Sequence, residues 1–312
     1  MRLYLTIPAP IFQAILLPMP TDFSHSVSEP RAWAEINLRA LRHNLDIALA
    51  RGGHPVMAVV KAGAYGHGLE EVARYLADAP GVAFFGVANV GEARRISRAG
   101  VSTPIYILGP TWAGEREEVV RQGWIACLST LDEARHFNAL AKAAGRTLTV
   151  HLAVDTGMGR GGFVAAELPA LMPELDQLAH LSIDGMGSHL PCADEDREFT
   201  LGQCAVFAEV IASTGGPDRW RWRHLCNSAG LLAYPPGPCN LTRPGLMLYG
   251  ISPVPDAAPL QPVMTLKARV TLVRTLPAGH GVSYGRTFIT TRPTRVATLG
   301  IGYGDGYPRH LS

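Results

Sequence analysis

Residues 56–110 read VMAVVKAGAYGHGLEEVARYLADAPGVAFFGVANVGEARRISRAGVSTPIYILGP and decide the fold class. Three short apolar runs, at 56–61, 84–90 and 104–110, are separated by two stretches in which apolar residues recur at helical spacing. Parallel strands need a crossover of about a dozen residues or more, usually a helix, and both stretches are long enough to form one. The sequence therefore predicts successive β-α-β units of a parallel sheet.

The same alternation continues along the chain to about residue 250. Five further strands are predicted, at 124–129, 148–157, 183–190, 222–228 and 241–250. Successive strands begin 19 to 39 residues apart, which is the spacing of a strand with its crossover helix. Eight such units favour an α/β fold of the closed (β/α)8 TIM barrel type over an open, doubly wound sheet.

The pattern of the chain changes after Pro253. Alternating runs such as PVMTLKARVTLVRTLPAG are joined by Pro/Gly turns, with no helical period between them. This predicts a barrel over 38–255, a mostly-β domain over 256–312, and a strand at 31–37 that pairs with that domain. No closing strand or helix follows GDGYPRHLS at the end of the sequence, so we expect the β domain to be incomplete, as in a chain truncated at its C-terminus.

The first thirty residues differ from the rest. The apolar stretch MRLYLTIPAPIFQAILLPMP is interrupted by prolines at 8, 10 and 18, and no small-residue cleavage site follows it. It is too short and too broken to span a bilayer. We expect residues 1–30 to be a disordered or mis-started extension, with translation beginning at Met19.

The composition excludes several classes of protein. Hydrophobic residues make up 47% of the 312 and charged residues 17%, which fits a globular chain with a large core. The 28 Lys and Arg are scattered and nearly balanced by 26 Asp and Glu, so neither nucleic acid nor a membrane surface is an expected partner. Five cysteines without a CxxC pair predict no disulfide framework and no metal site, and they favour a reducing compartment, the cytoplasm.

Lys61 is the first candidate for chemistry. It ends the first predicted strand, directly after VMAVV, and the short loop AGAYGHG follows it. Reactive groups of a parallel barrel lie where strands end, and a partly desolvated amine there has a lowered pKa that suits covalent bonding to an aldehyde. An isolated lysine at a strand end usually only extends into solvent, so this residue alone does not decide the function.

The run VVKAGAYGHG (59–68) resembles the pyridoxal-phosphate attachment segment of the alanine racemases. Further segments resemble the same family in order and at compatible spacing: AWAEINLRALRHNL (32–45), VDTGMGRGG (154–162), GMGSHLPCADE (185–195), HLCNSAG (224–230), RPGLMLYG (243–250), GVSYGRTF (281–288) and GIGYGDGYPR (300–309). The resemblance implies a pyridoxal 5'-phosphate enzyme that interconverts L- and D-alanine for bacterial wall precursors, and that acts as a homodimer.

The resemblance also implies two catalytic bases. Lys61 would form the internal aldimine with the cofactor and, once released by substrate, serve as one acid/base group. Tyr284 of the partner subunit would be the second, because racemisation removes a proton on one face of the α-carbon and delivers one on the other. Arg243 would point at the pyridine nitrogen and, since a guanidinium does not give up a proton, would leave that nitrogen unprotonated.

The remaining implied residues surround the cofactor and the substrate. His224 would hold Arg243, and His189 would pack against the cofactor ring. Arg160 would contact the phenolic oxygen of the cofactor and the substrate carboxylate, a role that suits a charge-assisted hydrogen bond. The residues that resemble the phosphate-binding elements are Tyr65, Asn227, Ser228, Gly245 and Leu246. The substrate entrance would be formed by Asp194, Tyr303 and Arg309.

Two positions depart from the family pattern, and other functions stay open. Ala153 stands where many members carry a lysine that orients Arg160, and Gly63 stands where asparagine is usual. A non-catalytic pyridoxal-phosphate carrier, an inactive racemase fragment and a racemase of broader amino-acid specificity are the alternatives. A decarboxylase of the same barrel type is disfavoured, because its pyridine partner is usually acidic whereas Arg243 is basic.

Overall fold

The computed structural model describes residues 30–255 and 257–309, so nearly all of the extension expected at 1–30 lies outside the described residues. The described chain forms two compact units. The larger comprises Asn37–Val263. The smaller comprises the residues up to Ile36 and those from Met264 onward. The observed change between units at 263/264 lies eight residues beyond the change at 255/256 suggested by the sequence pattern.

Parallel strands form the inside of the larger unit; β1 (Ala32–Ile36) belongs to the smaller one. In chain order they are β2 (Val56–Val59), β3 (Val82–Val87), β4 (Ile105–Ile107), β5 (Ala126–Leu128), β6 (Leu148–Asp155), β7 (Phe163–Val164), β8 (Leu181–Gly187) and β9 (Trp222–His224). They pair in the orders β2-β3-β4 and β5-β6-β8-β9, and the short β7 pairs beside β6. A parallel bridge between Tyr106 and Ile125 joins the two groups.

The eighth position of the barrel is filled by an extended segment rather than by the regular strand predicted over 241–250. Thr242 forms a parallel bridge to Val56, and its carbonyl accepts the N–H of Met57 at 2.8 Å. Pro244 has no N–H to donate to a ladder, although its carbonyl accepts the N–H of Val59 at 3.0 Å. Residues Leu246–Tyr249 then turn into a 3-10 helix. The predicted closed barrel is confirmed, whereas the regularity of its last strand is not.

Five of the eight helices described in this unit begin at a side-chain cap that the sequence supplies. In chain order they are α1 (Leu38–Gly52), α2 (Leu69–Ala77), α3 (Val90–Arg98), α4 (Arg116–Gln122), α5 (Leu131–Ala143), α6 (Leu168–Leu175), α7 (Arg197–Ser213) and α8 (Ser228–Ala233). The side chains of Asn37, Asn89, Thr130, Asp196 and Asn227 each accept the N–H three residues on, at the starts of α1, α3, α5, α7 and α8. Over residues 30–255 and 257–309, no helix combines the length and the apolar character that crossing a bilayer requires.

The interior of the barrel contains an apolar layer below the carboxyl ends of its strands. A buried layer is formed by Met57, Phe84, Tyr106, Ile125, Cys127 and Leu241. Side chains alternate between the two faces of a strand, so this inward layer leaves the residues at the strand ends free to line a cavity.

The smaller unit is mostly β, as predicted. Strand β1 pairs antiparallel with β10 (Met264–Ala268). Strand β11 (Val270–Leu276) pairs with β14 (Thr294–Leu299), and β12 (Gly281–Val282) pairs with β13 (Phe288–Ile289), again antiparallel. The strand suggested by the sequence at 31–37 is thus seen as β1, hydrogen-bonded to the first strand of the later segment.

Candidate active site

A cavity of about 360 Å³ opens at the carboxyl ends of the barrel strands. Eleven of the residues singled out in the sequence line it: Lys61, Tyr65, Arg160, His189, Asp194, His224, Asn227, Ser228, Arg243, Gly245 and Leu246. They come from segments nearly 190 positions apart, because strand ends that are distant in sequence meet at one face of a barrel. Three other predicted residues, Tyr284, Tyr303 and Arg309, belong to the smaller unit.

Lys61 was predicted to be the last residue of a strand, but it is the first residue of a left-handed turn. Strand β2 ends at Val59, and the φ angles of Ala62, Gly63, Ala64 and Tyr65 are 54°, 65°, 57° and 52°. The left-handed region costs an ordinary L-residue about 1–2 kcal/mol, so three non-glycine residues there must be held by their surroundings. The turn brings the Lys61 side chain to the wall of the cavity.

The electrostatic surroundings of Lys61 favour its neutral form. The side chain is about half-buried, and this burial lowers the pKa of the amine. The positive charges of Arg160 and Arg243 lower that pKa further, whereas the carboxylate of Glu92 raises it. A neutral amine is the nucleophilic form that bonds to a carbonyl, so the cavity wall carries the reactive group that the sequence suggested.

Arg243 is the buried cation at the floor of the cavity, with 6% of its surface exposed. Its Nη1 donates to the carbonyl of His224 at 2.9 Å and to the Nδ1 of the same histidine. Its Nη2 donates to the carbonyl of Ser188 and, at 3.1 Å, to His189 Nδ1. Within the described residues no carboxylate forms an ion pair with Arg243, so its position is fixed by neutral acceptors.

Because a guanidinium only donates hydrogen bonds, Arg243 fixes the tautomers of the buried histidines. His224 Nδ1 must accept, so the ring's proton lies on Nε2, which is 2.9 Å from His151 Nδ1. His151 Nδ1 accepts this proton in a hydrogen bond, so the His151 ring carries its own proton on Nε2. That Nε2 atom lies 3.2 Å from Asp184 Oδ1. The floor is thus a row of neighbouring groups that runs from the buried guanidinium of Arg243 to the partly exposed carboxylate of Asp184. The last contact, between His151 and Asp184, is an ion-pair distance without hydrogen-bond geometry.

Two glycines of β8 make room for this row. A Cβ placed on Gly185 would overlap the His151 ring, and one placed on Gly187 would overlap the His224 ring. Both positions face the barrel interior, since they are two residues apart on a strand. The motif GMGSHL therefore has a packing reason that the sequence alone did not reveal.

The three histidines of the floor are neutral near pH 7. Burial, followed by the charge of Arg243, holds the pKa of His189 down at about 3. Burial lowers the pKa of His151, and it lowers that of His224 well below the ordinary range. His189 accepts from Arg243 through Nδ1, so its remaining N–H is available to whatever occupies the cavity.

One end of the cavity carries hydroxyl and amide donors. Ser228 Oγ accepts the N–H of Gly245 at 2.9 Å and that of Met247 at 3.2 Å, which leaves its own hydrogen free to donate. The Gly245 N–H, expected from the resemblance to face a phosphate, is therefore already used. The hydroxyl of Tyr65 lies against Gly245, where a Cβ would overlap it.

Asn227 contributes to this end through the protein rather than through a free amide. Its Oδ1 accepts the N–H of Gly230 at 3.0 Å, and its Nδ2 donates to the Leu190 carbonyl at 2.8 Å. Both halves of the side chain are thus engaged: one caps α8, and the other ties it to Leu190 in the loop after β8. Asn227 lines the cavity and shapes this end of it.

The donor set fits pyridoxal phosphate. A reactive amine (Lys61) suits its aldehyde, hydroxyl donors (Tyr65 and Ser228) suit a phosphate, and a buried cation that only donates (Arg243) suits an unprotonated pyridine nitrogen. The described residues contain no cluster of His, Cys, Asp or Glu that could hold a metal ion.

The rim of the cavity, residues 155–161, is organised by one carboxylate. Asp155 Oδ1 accepts the N–H groups of Gly157 and Gly159 at 2.9 and 3.1 Å. Arg160 is exposed, and within the described part of the chain its side chain forms no ion pair. Ala153 lines the cavity nearby and offers no polar atom to orient that guanidinium.

The predicted site residues of the smaller unit lie on exposed turns. Tyr284 starts a short 3-10 turn after Ser283, whose φ of 61° is left-handed, and 78% of the tyrosine is exposed. Tyr303 is 61% exposed, and the guanidinium of Arg309 lies 5.6 Å from the centre of its ring. Both tyrosine rings are therefore accessible to other groups.

The sequence analysis did not identify three residues that belong to the site or support it. His151 lies on β6, Asp184 lies at the irregularity in the pairing of β8 with β6 and approaches the His151 ring, and Glu92 lies beside the turn after Lys61. The available signal was a polar residue inside an apolar run, as in TVHLAVD and SIDGMG. A buried polar residue of that kind needs a partner, but the sequence does not say which one.

The fold and the site define a class: a (β/α)8 barrel with a reactive lysine and a buried arginine in one cavity, joined to a mostly-β unit. The family model "Alanine racemase, N-terminal domain" matches residues 36–253, and "Alanine racemase, C-terminal domain" matches 263–312. The chain therefore belongs to the alanine racemase family, which confirms the resemblance seen in the sequence.

Individual relatives agree with this assignment. The alanine racemase of Symbiobacterium thermophilum is 40% identical over 289 residues, which cover 90% of this chain and 76% of the relative. That of Syntrophobacter fumaroxidans is 39% identical over 287 residues, with the same coverage. These matches favour the racemase over the carrier and decarboxylase alternatives.

Solved structures of alanine racemases are similar as well. The enzyme from D-cycloserine-producing Streptomyces lavendulae has a TM-score of 0.81 at 35% identity, with 90% of this chain and 76% of that chain covered. The enzyme from Bartonella henselae, solved with covalently bound pyridoxal phosphate, has a TM-score of 0.80 at 30% identity, with 90% and 78% covered.

Proposed function

We propose that this protein is a pyridoxal-phosphate-dependent racemase that interconverts L- and D-alanine in the cytoplasm. The observation that carries the proposal is the pairing, in one cavity, of a half-buried amine at Lys61 with a buried Arg243 that no carboxylate in the described chain neutralises. When bound, the cofactor withdraws electrons from the α-carbon of an attached amino acid and so makes its proton acidic. The five unpaired cysteines suit a reducing compartment.

The cavity residues divide the work of holding the cofactor. Lys61 would hold it covalently through Nζ, and the hydroxyls of Ser228 and Tyr65 with the backbone of Leu246 would bind its phosphate. Arg243 would donate to the pyridine nitrogen without transferring a proton, which limits the charge that the ring can accept. That limit favours returning a proton to the same carbon, as racemisation requires, over transamination.

Two groups would move the α-proton. Lys61 Nζ would exchange it on one face of the substrate, and the Tyr284 hydroxyl of a second subunit would exchange it on the other. The high exposure of Tyr284 leaves its hydroxyl free for such a role. Arg160 would bind the substrate carboxylate, while Asp194, Tyr303 and Arg309 would border the entrance.

Covalent trapping and chiral assay test the function directly. The purified chain is incubated with pyridoxal phosphate, reduced with borohydride, digested and mapped, and D-alanine formed from L-alanine is measured in parallel, with L-serine as a second substrate. We expect the label on Lys61, its loss in Lys61→Ala, and turnover of alanine. A label on another residue, or bound cofactor without any turnover, would contradict the proposal.

The role of Tyr284 needs an isotope experiment, because the two alanines are equally stable and the kcat/KM values of the two directions must be equal. In deuterated water, Tyr284→Phe should lose racemisation yet still exchange the α-proton of one enantiomer, through Lys61. Exchange that falls equally for both enantiomers would argue against two bases on opposite faces.

Mixed dimers test whether the site is shared between subunits. We expect Lys61→Ala and Tyr284→Phe each to be inactive alone, but a mixed dimer has one site with both native residues if Tyr284 comes from the partner. Equal mixing should restore about a quarter of wild-type activity, since half the dimers are mixed and each has one intact site. Mixing Lys61→Ala with the double variant should restore none. No recovery in either mixture would place both residues in one chain.

A further inference from the structure

Glu92 is a buried carboxylate at the start of α3 that no ion pair accounts for. Its surface is 8% exposed, and within the described residues no lysine or arginine forms a salt bridge with it. Its N–H donates to Asn89 Oδ1 at 3.0 Å, and its Oε2 accepts the N–H of Ala88 at 2.9 Å. These two bonds form a reciprocal cap that begins the helix.

The second carboxylate oxygen of Glu92 does something that a cap does not require. Oε1 accepts the N–H of Gly63, 3.2 Å away and 29 residues earlier in the chain. Gly63 lies in the middle of the left-handed turn that starts at Lys61. One side chain therefore joins the loop after β3 to the turn that carries the reactive amine.

A second helix of the barrel shows what the cap alone looks like. Glu133 occupies the same position in α5: its N–H donates to Thr130 Oγ1 at 3.1 Å, its Oε2 accepts the N–H of Ser129 at 2.9 Å, and it is 5% exposed. Its Oε1, however, has no hydrogen-bond partner in the described structure and lies 3.5 Å from an Arg116 nitrogen. The cap is complete in both helices, so the bond to Gly63 is an addition at Glu92.

We propose that Glu92 is a positioning residue that holds the left-handed turn and thereby keeps the Lys61 amine aimed into the cavity; this rests on the proposed function of Lys61. The turn has three non-glycine residues in a costly conformation. The N–H groups of Ala64 and Gly66 bond to carbonyls within the same segment, whereas the N–H of Gly63 bonds to Glu92 Oε1. A charged acceptor forms a stronger bond than a neutral one, and burial strengthens it further.

The negative charge of Glu92 also affects the basicity of the Lys61 amine. It is the negative charge that opposes Arg160 and Arg243 around the amine, and it raises the pKa that burial and the arginines lower. Loss of that charge would leave a displaced amine that is also less basic. Position and basicity thus depend on one carboxylate that does not itself touch the cavity.

The test compares Glu92→Gln with Glu133→Gln in the full chain. Both variants keep side-chain size and remove one buried charge from an equivalent cap. Glu133→Gln also loses the ion pair with Arg116, so it should lose at least as much thermal stability as Glu92→Gln. Capture of pyridoxal phosphate, followed by visible absorbance, should slow about tenfold or more in Glu92→Gln and stay within about twofold of wild type in Glu133→Gln. Equal capture rates in the two variants would overturn the proposal.

Hydrogen exchange provides a readout that needs neither cofactor nor turnover. The amide hydrogens of the peptide containing residues 61–66 should exchange faster in Glu92→Gln than in wild type. Their exchange rate should be unchanged in Glu133→Gln. Glu92→Asp, which keeps the charge but shortens the reach, covers the case in which Glu92→Gln does not fold: we expect faster exchange of the same peptide and slower capture. Wild-type exchange and capture in Glu92→Asp would overturn the proposal.

The two hypotheses fail in distinguishable ways. Borohydride labelling of the wild-type chain tests Lys61 by itself, so absence of label there refutes the proposed function. A wild-type chain that is labelled at Lys61, with Glu92→Gln labelled at the same rate as Glu133→Gln, refutes only the positioning role.

Discussion

The floor and the rim of the cavity each present an arginine, and the two arginines are held in opposite ways. Arg243 on the floor is buried among five acceptors on four residues: His224, Ser188, His189 and Leu225. Its donor geometry sets the tautomers of His189, His224 and, through His224, His151. Arg160 on the rim is exposed and forms no ion pair with the described residues. The guanidinium of the floor is held before any ligand arrives. At the rim, Asp155 orders the backbone, but the Arg160 side chain depends on what binds there.

The largest effect should follow from filling the space beside the floor. In Gly187→Ala the new methyl group overlaps the His224 ring, which cannot move because both its nitrogens are bonded. Overpacking together with a broken buried network should cost about 3 kcal/mol or more of the free energy of unfolding, measured in urea. Gly202→Ala in α7 meets no neighbour, and it should stabilise the chain by about 0.5–1 kcal/mol. Equal effects of the two substitutions would contradict this account of the floor.

Arg243→Lys should have the next largest effect. Lysine keeps the charge but cannot reach the acceptors on His224, Ser188 and His189 together, so we expect a loss of about 2–4 kcal/mol in urea unfolding. The matched change on the surface is Arg135→Lys, where the arginine is half exposed and paired with Asp132 and Glu174. There the loss should stay below about 1 kcal/mol. A small effect at Arg243 would mean that the floor is held by packing alone.

Much of this cavity follows from the sequence because β-α alternation fixes which residues meet. Lys61 was expected at the end of its strand, and the resemblance implied that His224 and Arg243 lie beside the cofactor. The barrel brings the three residues to one cavity. The extended segment in place of the eighth strand was missed because Pro244 breaks the ladder without breaking the apolar run. The apolar pattern reports burial, and a proline in it changes only the hydrogen bonds.

The features that could not be predicted are those that tertiary contacts impose. Nothing in the residues AGAY indicates a left-handed turn, because alanine and tyrosine avoid that conformation and adopt it only when held. The acceptor that holds it, Glu92, lies 29 residues from Gly63, beyond the reach of local patterns. Likewise, the row from His224 to Asp184 needs the register of β6 against β8, which the sequence does not state.

Acid should lower the free energy of unfolding through the buried histidines of the floor. A histidine whose pKa is lower in the fold than in the unfolded chain binds its proton only on unfolding, so stability is lost as pH falls. For His189 the window runs from about 6.5, the ordinary pKa, down to its folded value of about 3. The free energy of unfolding should therefore decrease on acidification through this range, by about 1.4 kcal/mol per pH unit for each such group.

His189→Gln separates this contribution from that of the carboxylates. The variant cannot take up the proton, so its free energy of unfolding should depend less steeply on pH between about 6 and 4 than that of the wild type. Urea titrations at several pH values give both slopes. Parallel curves would show that His189 is charged in the fold or solvated in it, and would remove it from the neutral floor.

The smallest effect on stability is expected at the rim. Arg160→Ala removes an exposed side chain that pairs with no described acidic group, so the free energy of unfolding should stay within about 0.5 kcal/mol of wild type. If Arg160 binds the substrate carboxylate, kcat/KM for alanine should nevertheless fall by about tenfold or more, since a charge-assisted hydrogen bond is lost. Arg160→Lys keeps the charge without the planar fork and should recover part of that loss. A destabilisation by Arg160→Ala as large as that of Arg243→Lys would contradict the contrast, because it would show that the Arg160 side chain is held without a ligand too.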